Sequence, residues 1–240
     1  KNMVKYGRKD VEEVRSNMGK LIIIEGTDGS GKQTQTELLY EKLFSQGKKV
    51  KKITFPNYES PASEPVKMYL AGEFGTDATS VNVFASSTFY AVDRYASYKK
   101  DWELFYKDNG IVISDRYTTS NMVHQASKIE NEKEKEEYLE WLTDLEWNKI
   151  AIPKPDLVVF LDVPFEFSQE LMRNRENKIT GESKKDIHER DKGYMKKSYI
   201  NAKELAEKYG WKVISCIENG ELKSIDKINN EILLEVEKII

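Results

Sequence analysis

The aliphatic run Leu21-Ile22-Ile23-Ile24 leads through Glu25 into Gly26-Thr27-Asp28-Gly29-Ser30-Gly31-Lys32-Gln33-Thr34, and Thr34–Phe44 then carries amphipathic helical spacing. Strand, glycine-rich turn and helix in that order constrain the fold more than any other feature of the chain. Gly26 and Gly31 permit a tight backbone turn whose N–H groups converge on an anion at the helix N-terminus. Lys32 ends the G-x-x-x-x-G-K pattern of a phosphate-binding loop, so residues 26–34 are expected to hold the phosphates of a nucleoside triphosphate. Gln33 stands where Ser or Thr usually binds Mg²⁺, and Thr34 points elsewhere on the helix.

Five apolar, β-rich runs punctuate the sequence: Lys20–Glu25, Val50–Phe55, Ile111–Asp115, Asp156–Val163 and Lys212–Ile217. Helical periodicity fills Lys32–Gln46, Val66–Leu70, Ser80–Asp108, Ser120–Lys149 (two helices, broken near Lys128–Lys133), Pro164–Arg175, Ile187–Tyr209 and Ser224–Ile240. Such alternation predicts an α/β fold of P-loop NTPase type in three layers: a five-stranded parallel sheet with helices on both faces and a mobile lid. With no repeat or low-complexity linker, residues 20–240 are expected to form one domain, and 1–19 an extension with no assignable role. Ligands of such sheets bind at the carboxyl ends of the strands. That draws attention to Phe55-Pro56-Asn57-Tyr58, Asp115-Arg116-Tyr117 and Asp162-Val163-Pro164.

Composition narrows the classes. A formal net charge of −3 argues against nucleic-acid binding through bulk positive charge. The single Cys216 excludes an internal disulfide and reads as a small buried hydrophobe in a reducing, cytoplasmic protein. No apolar stretch reaches the length of a membrane span, and no signal-peptide core is evident. Two histidines, His124 and His188, are too few for a histidine-based metal site.

Several residues carry chemistry of their own. Arg116 can fork a phosphate and Asp115 can hold a Mg²⁺-bound water, although an ion pair at a strand end is the plain alternative. Tyr90 and Arg94, four residues apart, share one helical face and suit stacking on a base and donation to its oxygen; the alternative is a core aromatic beside a snorkelling Arg. Phe55 could wall that pocket or simply belong to the core. Arg173, Arg175, Lys178, Lys184, Lys185 and Arg190 read as a solvated loop in isolation and, opposite a phosphate loop, as a lid near 173–190.

Taken together, the motifs resemble the thymidylate kinase family over most of Lys20–Ile240. The matching segments are Lys20–Thr34, Phe55–Tyr58, the run Phe89-Tyr90-Ala91-Val92-Asp93-Arg94, the run Asp115-Arg116-Tyr117-Thr118-Thr119-Ser120-Asn121, the strand region Lys154–Pro164, and Asp186-Ile187-His188-Glu189. The resemblance implies transfer of the γ-phosphoryl group of ATP-Mg²⁺ to dTMP in a homodimeric enzyme. It assigns Lys32, Arg116 and one of Arg173 or Arg175 to catalysis. Asp28 (to the 3′-hydroxyl), Phe55, Tyr58, Tyr90, Arg94, Arg116, Asn121, Gln125 and Glu189 would bind dTMP. Mg²⁺ would be held through water by Asp115, with Gln33 as a second candidate, and adenine would sit near Arg173 and the loop Glu218–Glu221. The chain departs from the family at Gln33, at His124 where Tyr is usual, and at Gly29, where one subtype carries Arg. A kinase for another nucleotide or nucleoside is the nearest rival. A GTP-hydrolysing switch is disfavoured because no Asn-Lys-x-Asp guanine-reading motif is present.

Overall fold

A computed structural model describes residues 18–77, 79–172 and 191–240. Strands β1 (Lys20–Glu25), β2 (Val50–Thr54), β3 (Ile111–Asp115), β4 (Leu157–Asp162) and β5 (Lys212–Ser215) form one parallel sheet in the order β2-β3-β1-β4-β5. Its core lies on both faces, as alternation along β1 requires. Leu21 and Ile23 join Val112, Phe160, Trp102 and Tyr138 on one side, while Ile22 and Ile24 join Ile113, Val159, Leu39 and Ile232 on the other.

Helices follow in chain order: α1 (Lys32–Ser45), α2 (Glu64–Ala71), α3 (Val83–Ser97), α4 (Glu103–Lys107), α5 (Thr118–His124), α6 (Glu132–Thr143), α7 (Phe165–Met172), α8 (Lys192–Lys208) and α9 (Ile225–Val236). The helix expected over Ser80–Asp108 starts later and is interrupted. Asn82 accepts from the Phe84 and Ala85 amides at 2.8 and 3.4 Å and so fixes the first turn at Val83. A π-helical turn, Tyr98–Trp102, then separates α3 from α4. The segment Ser120–Lys149 does break before Lys133, where Asn131 caps α6, but it also closes in a second π-helical turn, Asp144–Lys149. The last apolar run leaves the main sheet at Cys216. It continues as a small antiparallel hairpin of β6 (Ile217–Glu218) and β7 (Glu221–Leu222), which strand periodicity alone does not announce.

Register brings the site together. Ile24 pairs with Asp115 and Asp115 with Thr54, so the carboxyl ends of β1, β3 and β2 lie side by side. The ladder extends one step further, with the Arg116 amide donating to Ile24 O at 3.3 Å and the Phe55 amide to Asp115 O at 3.0 Å. The loops that leave these three strands therefore share one edge of the sheet.

Candidate active site

The phosphate loop leaves β1 and enters α1 through Gly31, whose φ of 80° is left-handed and natural only to glycine. Gly29, at φ 82°, is constrained twice, since a Cβ there would approach Ser168 O to 2.4 Å. A side chain at position 29 would therefore require the Ser168 backbone to shift. Glu25 anchors the loop from below. Its Oε1 accepts from the Gly26 amide at 3.0 Å, and its Oε2 accepts from the hydroxyls of Thr119 and Ser120, each at 2.8 Å. One buried carboxylate thus ties the phosphate loop to the start of α5, a role with no local sign in the sequence.

Lys32 is buried and donates its Nζ to Thr27 O at 2.8 Å. Burial, helped by the nearby Arg116 charge, lowers its pKa from 10.5 to about 8. A cation under that desolvation penalty is stabilised by an incoming phosphate.

Arg116 follows β3 with φ 70°, a strained value for a residue with a side chain. Its guanidinium is held by two groups: Nη2 pairs with Asp28 Oδ1, and Nη1 donates to His124 Nε2 at 2.9 Å. Burial opposes the charge of Arg116, but Asp28, Glu25 and Asp115 outweigh it and raise its pKa. His124 is driven the other way, to about 3, by burial and by Arg116 itself. It is therefore neutral at ordinary pH, with its proton on Nδ1. The acidic residue inside an anion-binding loop, a puzzle in the sequence, has its charge matched by an arginine 88 residues away.

Asp115, at the end of β3, is buried, and its Oδ1 has no hydrogen-bond partner among the described residues. An unpartnered carboxylate oxygen beside a phosphate loop suits a water in the shell of a hard cation such as Mg²⁺. Gln33 is exposed at the cleft edge, whereas Thr34 is exposed and not on the cleft wall.

A cleft of about 610 Å³ joins these groups to the opposite wall. Asp28, Gln33, Asp115 and Arg116 line one part. Phe55, Tyr58, Tyr90, Arg94, Asn121, Gln125 and His124 line the rest, so these predicted residues converge on one cavity. Phe55 does both things considered for it: it is buried against Tyr117 at 5.9 Å between ring centroids and still faces the cleft. The turn beyond it, with a cis Phe55–Pro56 bond, is held by Asp93, which accepts from the Asn57 amide at 2.9 Å. Burial raises the pKa of Asp93 to about 6. Tyr90 meets Tyr69 edge-on at 6.4 Å. Gln125 accepts from the Ser86 hydroxyl at 2.9 Å.

Arg94 does not snorkel. It is 1% exposed and forks onto the carboxylate of Glu146, Nε at 2.7 Å and Nη2 at 2.5 Å, while Nη2 also donates to Asn121 Oδ1 at 2.9 Å. Burial works against its charge, and the Glu146 carboxylate more than offsets that. Since a guanidinium has no acceptor, the bond to Oδ1 fixes the Asn121 amide, leaving Nδ2 as a buried donor with no partner among the described residues. Sequence reasoning missed Glu146. A signal exists: it continues the buried stripe Leu139–Leu142 at helical spacing, a carboxylate where a hydrophobe belongs. Arg173, Arg175 and Glu189, with the rest of the expected lid, lie outside the described residues, as does most of the 1–19 extension.

Comparisons with known proteins agree with this architecture. A family model described as Thymidylate kinase matches residues 24–228. The thymidylate kinase of Mycobacterium tuberculosis is 33% identical over 192 residues, covering 80% of this chain and 87% of that protein. A probable thymidylate kinase of Thermococcus onnurineus is 31% identical over 219 residues, covering 90% and 96%. The thymidylate kinase of Plasmodium falciparum is 30% identical over 222 residues, covering 92% and 91%. Among solved structures, the thymidylate kinase of Candida albicans matches with a TM-score of 0.70 at 22% identity, over 92% of each chain, a likeness of fold. By the extent of the family match and the identity to these relatives, the chain belongs to the thymidylate kinase family of nucleoside monophosphate kinases.

Proposed function

We propose that the cleft transfers the γ-phosphoryl group of ATP to dTMP. A dTMP phosphate oxygen forms a bond to the γ-phosphorus as the bond to the β,γ-bridging oxygen breaks, and ADP leaves with that electron pair. Amides of residues 26–34 and Lys32 hold the ATP phosphates. Arg116 takes the acceptor phosphate, and Asp28 is freed to accept from the sugar. Asp115 would hold Mg²⁺ through a water, and the ion would supply charge neutralisation at the transferring phosphates. Asp115, Arg116 and Lys32 position and stabilise, with no covalent enzyme intermediate. Arg173 or Arg175 adds a further cation, and Glu189 a contact to dTMP, from the expected lid.

The observation that carries this reading is the donor pair at the base end. Arg94, Asn121 and Tyr90 all line the cleft, and Arg94 and Asn121 each keep an N–H with no partner among the described residues. Thymine offers carbonyl oxygens there, whereas cytosine would set its own amino donor against them. Removing a donor to a buried base oxygen costs about 1–3 kcal/mol. Arg94→Ala is therefore expected to weaken dTMP binding strongly and ATP binding little when each is titrated by calorimetry. Equal weakening of both nucleotides would mean that Arg94 only braces the fold.

Phe84, Val92 and Tyr95 are exposed on one face of α3, and a second copy of the chain is the proposed occupant of that stripe. A sedimentation mass near twice 27.9 kDa is expected, and a monomer would exclude it. Among the described residues no helix is long and apolar enough to cross a membrane, and Cys216 is a buried free thiol; both accord with a cytoplasmic enzyme.

A further inference from the structure

We propose that Glu146 is the positioning residue for base recognition: it aims the one N–H of Arg94 that has no partner among the described residues toward the cleft, and keeps the base end electrically neutral. The inference rests on the placement of the base against Arg94 given above. An arginine has five N–H groups. Two of those on Arg94 go to the Glu146 carboxylate, one to Asn121 Oδ1, and one to Tyr117 O at 3.4 Å. The remaining Nη1 N–H belongs to a side chain that lines the cleft. Glu146 is fully buried, and its Oε2 accepts a third donor, the Thr118 hydroxyl at 2.7 Å. It reaches this position from the π-helical turn Asp144–Lys149, a local rewinding that shifts side chains out of α register.

Neutralising a buried arginine would need only a carboxylate nearby. Here the carboxylate is bidentate and itself pinned, so the plane of the guanidinium is fixed, and with it the direction of the last donor. A glutamine in its place has one acceptor and one donor group. Its NH₂ must then face Nε–H and the Thr118 hydroxyl, or Nη2–H, and the guanidinium has to turn.

The test is a double-mutant cycle on the full chain with ATP and dTMP as substrates. Glu146→Gln is expected to raise the KM for dTMP by about 10- to 100-fold, with the KM for ATP and kcat close to wild type. In an Arg94→Ala background the same change should have almost no further effect on the dTMP KM. If Glu146→Gln does not fold, Thr118→Val, which removes only the hydroxyl on Oε2, is expected to raise the dTMP KM by about 2- to 10-fold without altering that for ATP. Equal losses toward both nucleotides, a drop in kcat at unchanged KM, or an undiminished Glu146→Gln effect without Arg94 would overturn the proposal. An unchanged dTMP KM in Arg94→Ala alone would instead remove the underlying placement of the base, so the two failures are separable.

Discussion

Replacing Arg116 with lysine is expected to lower kcat by about 10²-fold or more while leaving the fold intact. The expected loss is geometric in origin, because the charge survives the substitution. Arg116 stands at the exit of β3 with two separate nitrogens already aimed, one at Asp28 and one at His124. Each of those nitrogens carries a second N–H, and the two partners fix the plane in which the fork can offer paired donors to a phosphate. His124 is neutral, so it orients the fork without competing for the anion's charge. Lysine is a point charge on a flexible stem and cannot keep two fixed directions. Steady-state turnover with saturating ATP and dTMP checks the outcome, and near-normal kcat would remove Arg116 from the acceptor site.

The second large effect concerns the metal. Asp115→Asn is expected to weaken apparent Mg²⁺ affinity by about 10- to 100-fold and to depress the rate with it, whereas Gln33→Ser changes either only modestly. Asp115 brings a full negative charge and a buried oxygen with no partner among the described residues. Gln33 brings an amide dipole from an exposed position. Mg²⁺ retains several waters readily, so phosphate oxygens and waters can complete its shell without the hydroxyl that position 33 lacks. A Mg²⁺ titration of both variants decides it. Normal metal dependence in Asp115→Asn together with loss in a Gln33→Ala variant would reverse the assignment.

What the sequence makes legible follows the range of the interactions. The phosphate loop is readable because its strand, glycines and Lys32 are contiguous and each is demanded locally. β1, β3 and β4 are readable because strands buried on both faces must be aliphatic throughout. Tyr90 and Arg94 are readable as a pair because helical spacing puts them on one face. The contacts that set the electrostatics are long-range and leave little local trace. Glu146 lies 52 residues from Arg94, in a charged stretch that looks like a solvated helix face unless the apolar stripe behind it is followed. The pairing of Asp28 with Arg116 and the bracing of the loop by Glu25 arise only when register brings the ends of β1 and β3 together. The π-helical turns and the hairpin of β6 and β7 were likewise missed, since tertiary packing, not propensity, selects them.

The most direct measurement is a phosphate-acceptor panel with the purified chain, Mg²⁺ and ATP, following both ADP and the phosphorylated acceptor. Stoichiometric ADP and dTDP are expected with dTMP, with far lower turnover of dCMP and little ATP hydrolysis when no acceptor is present. Preferred turnover of another acceptor, or hydrolysis at the same rate with and without dTMP, would contradict that expectation.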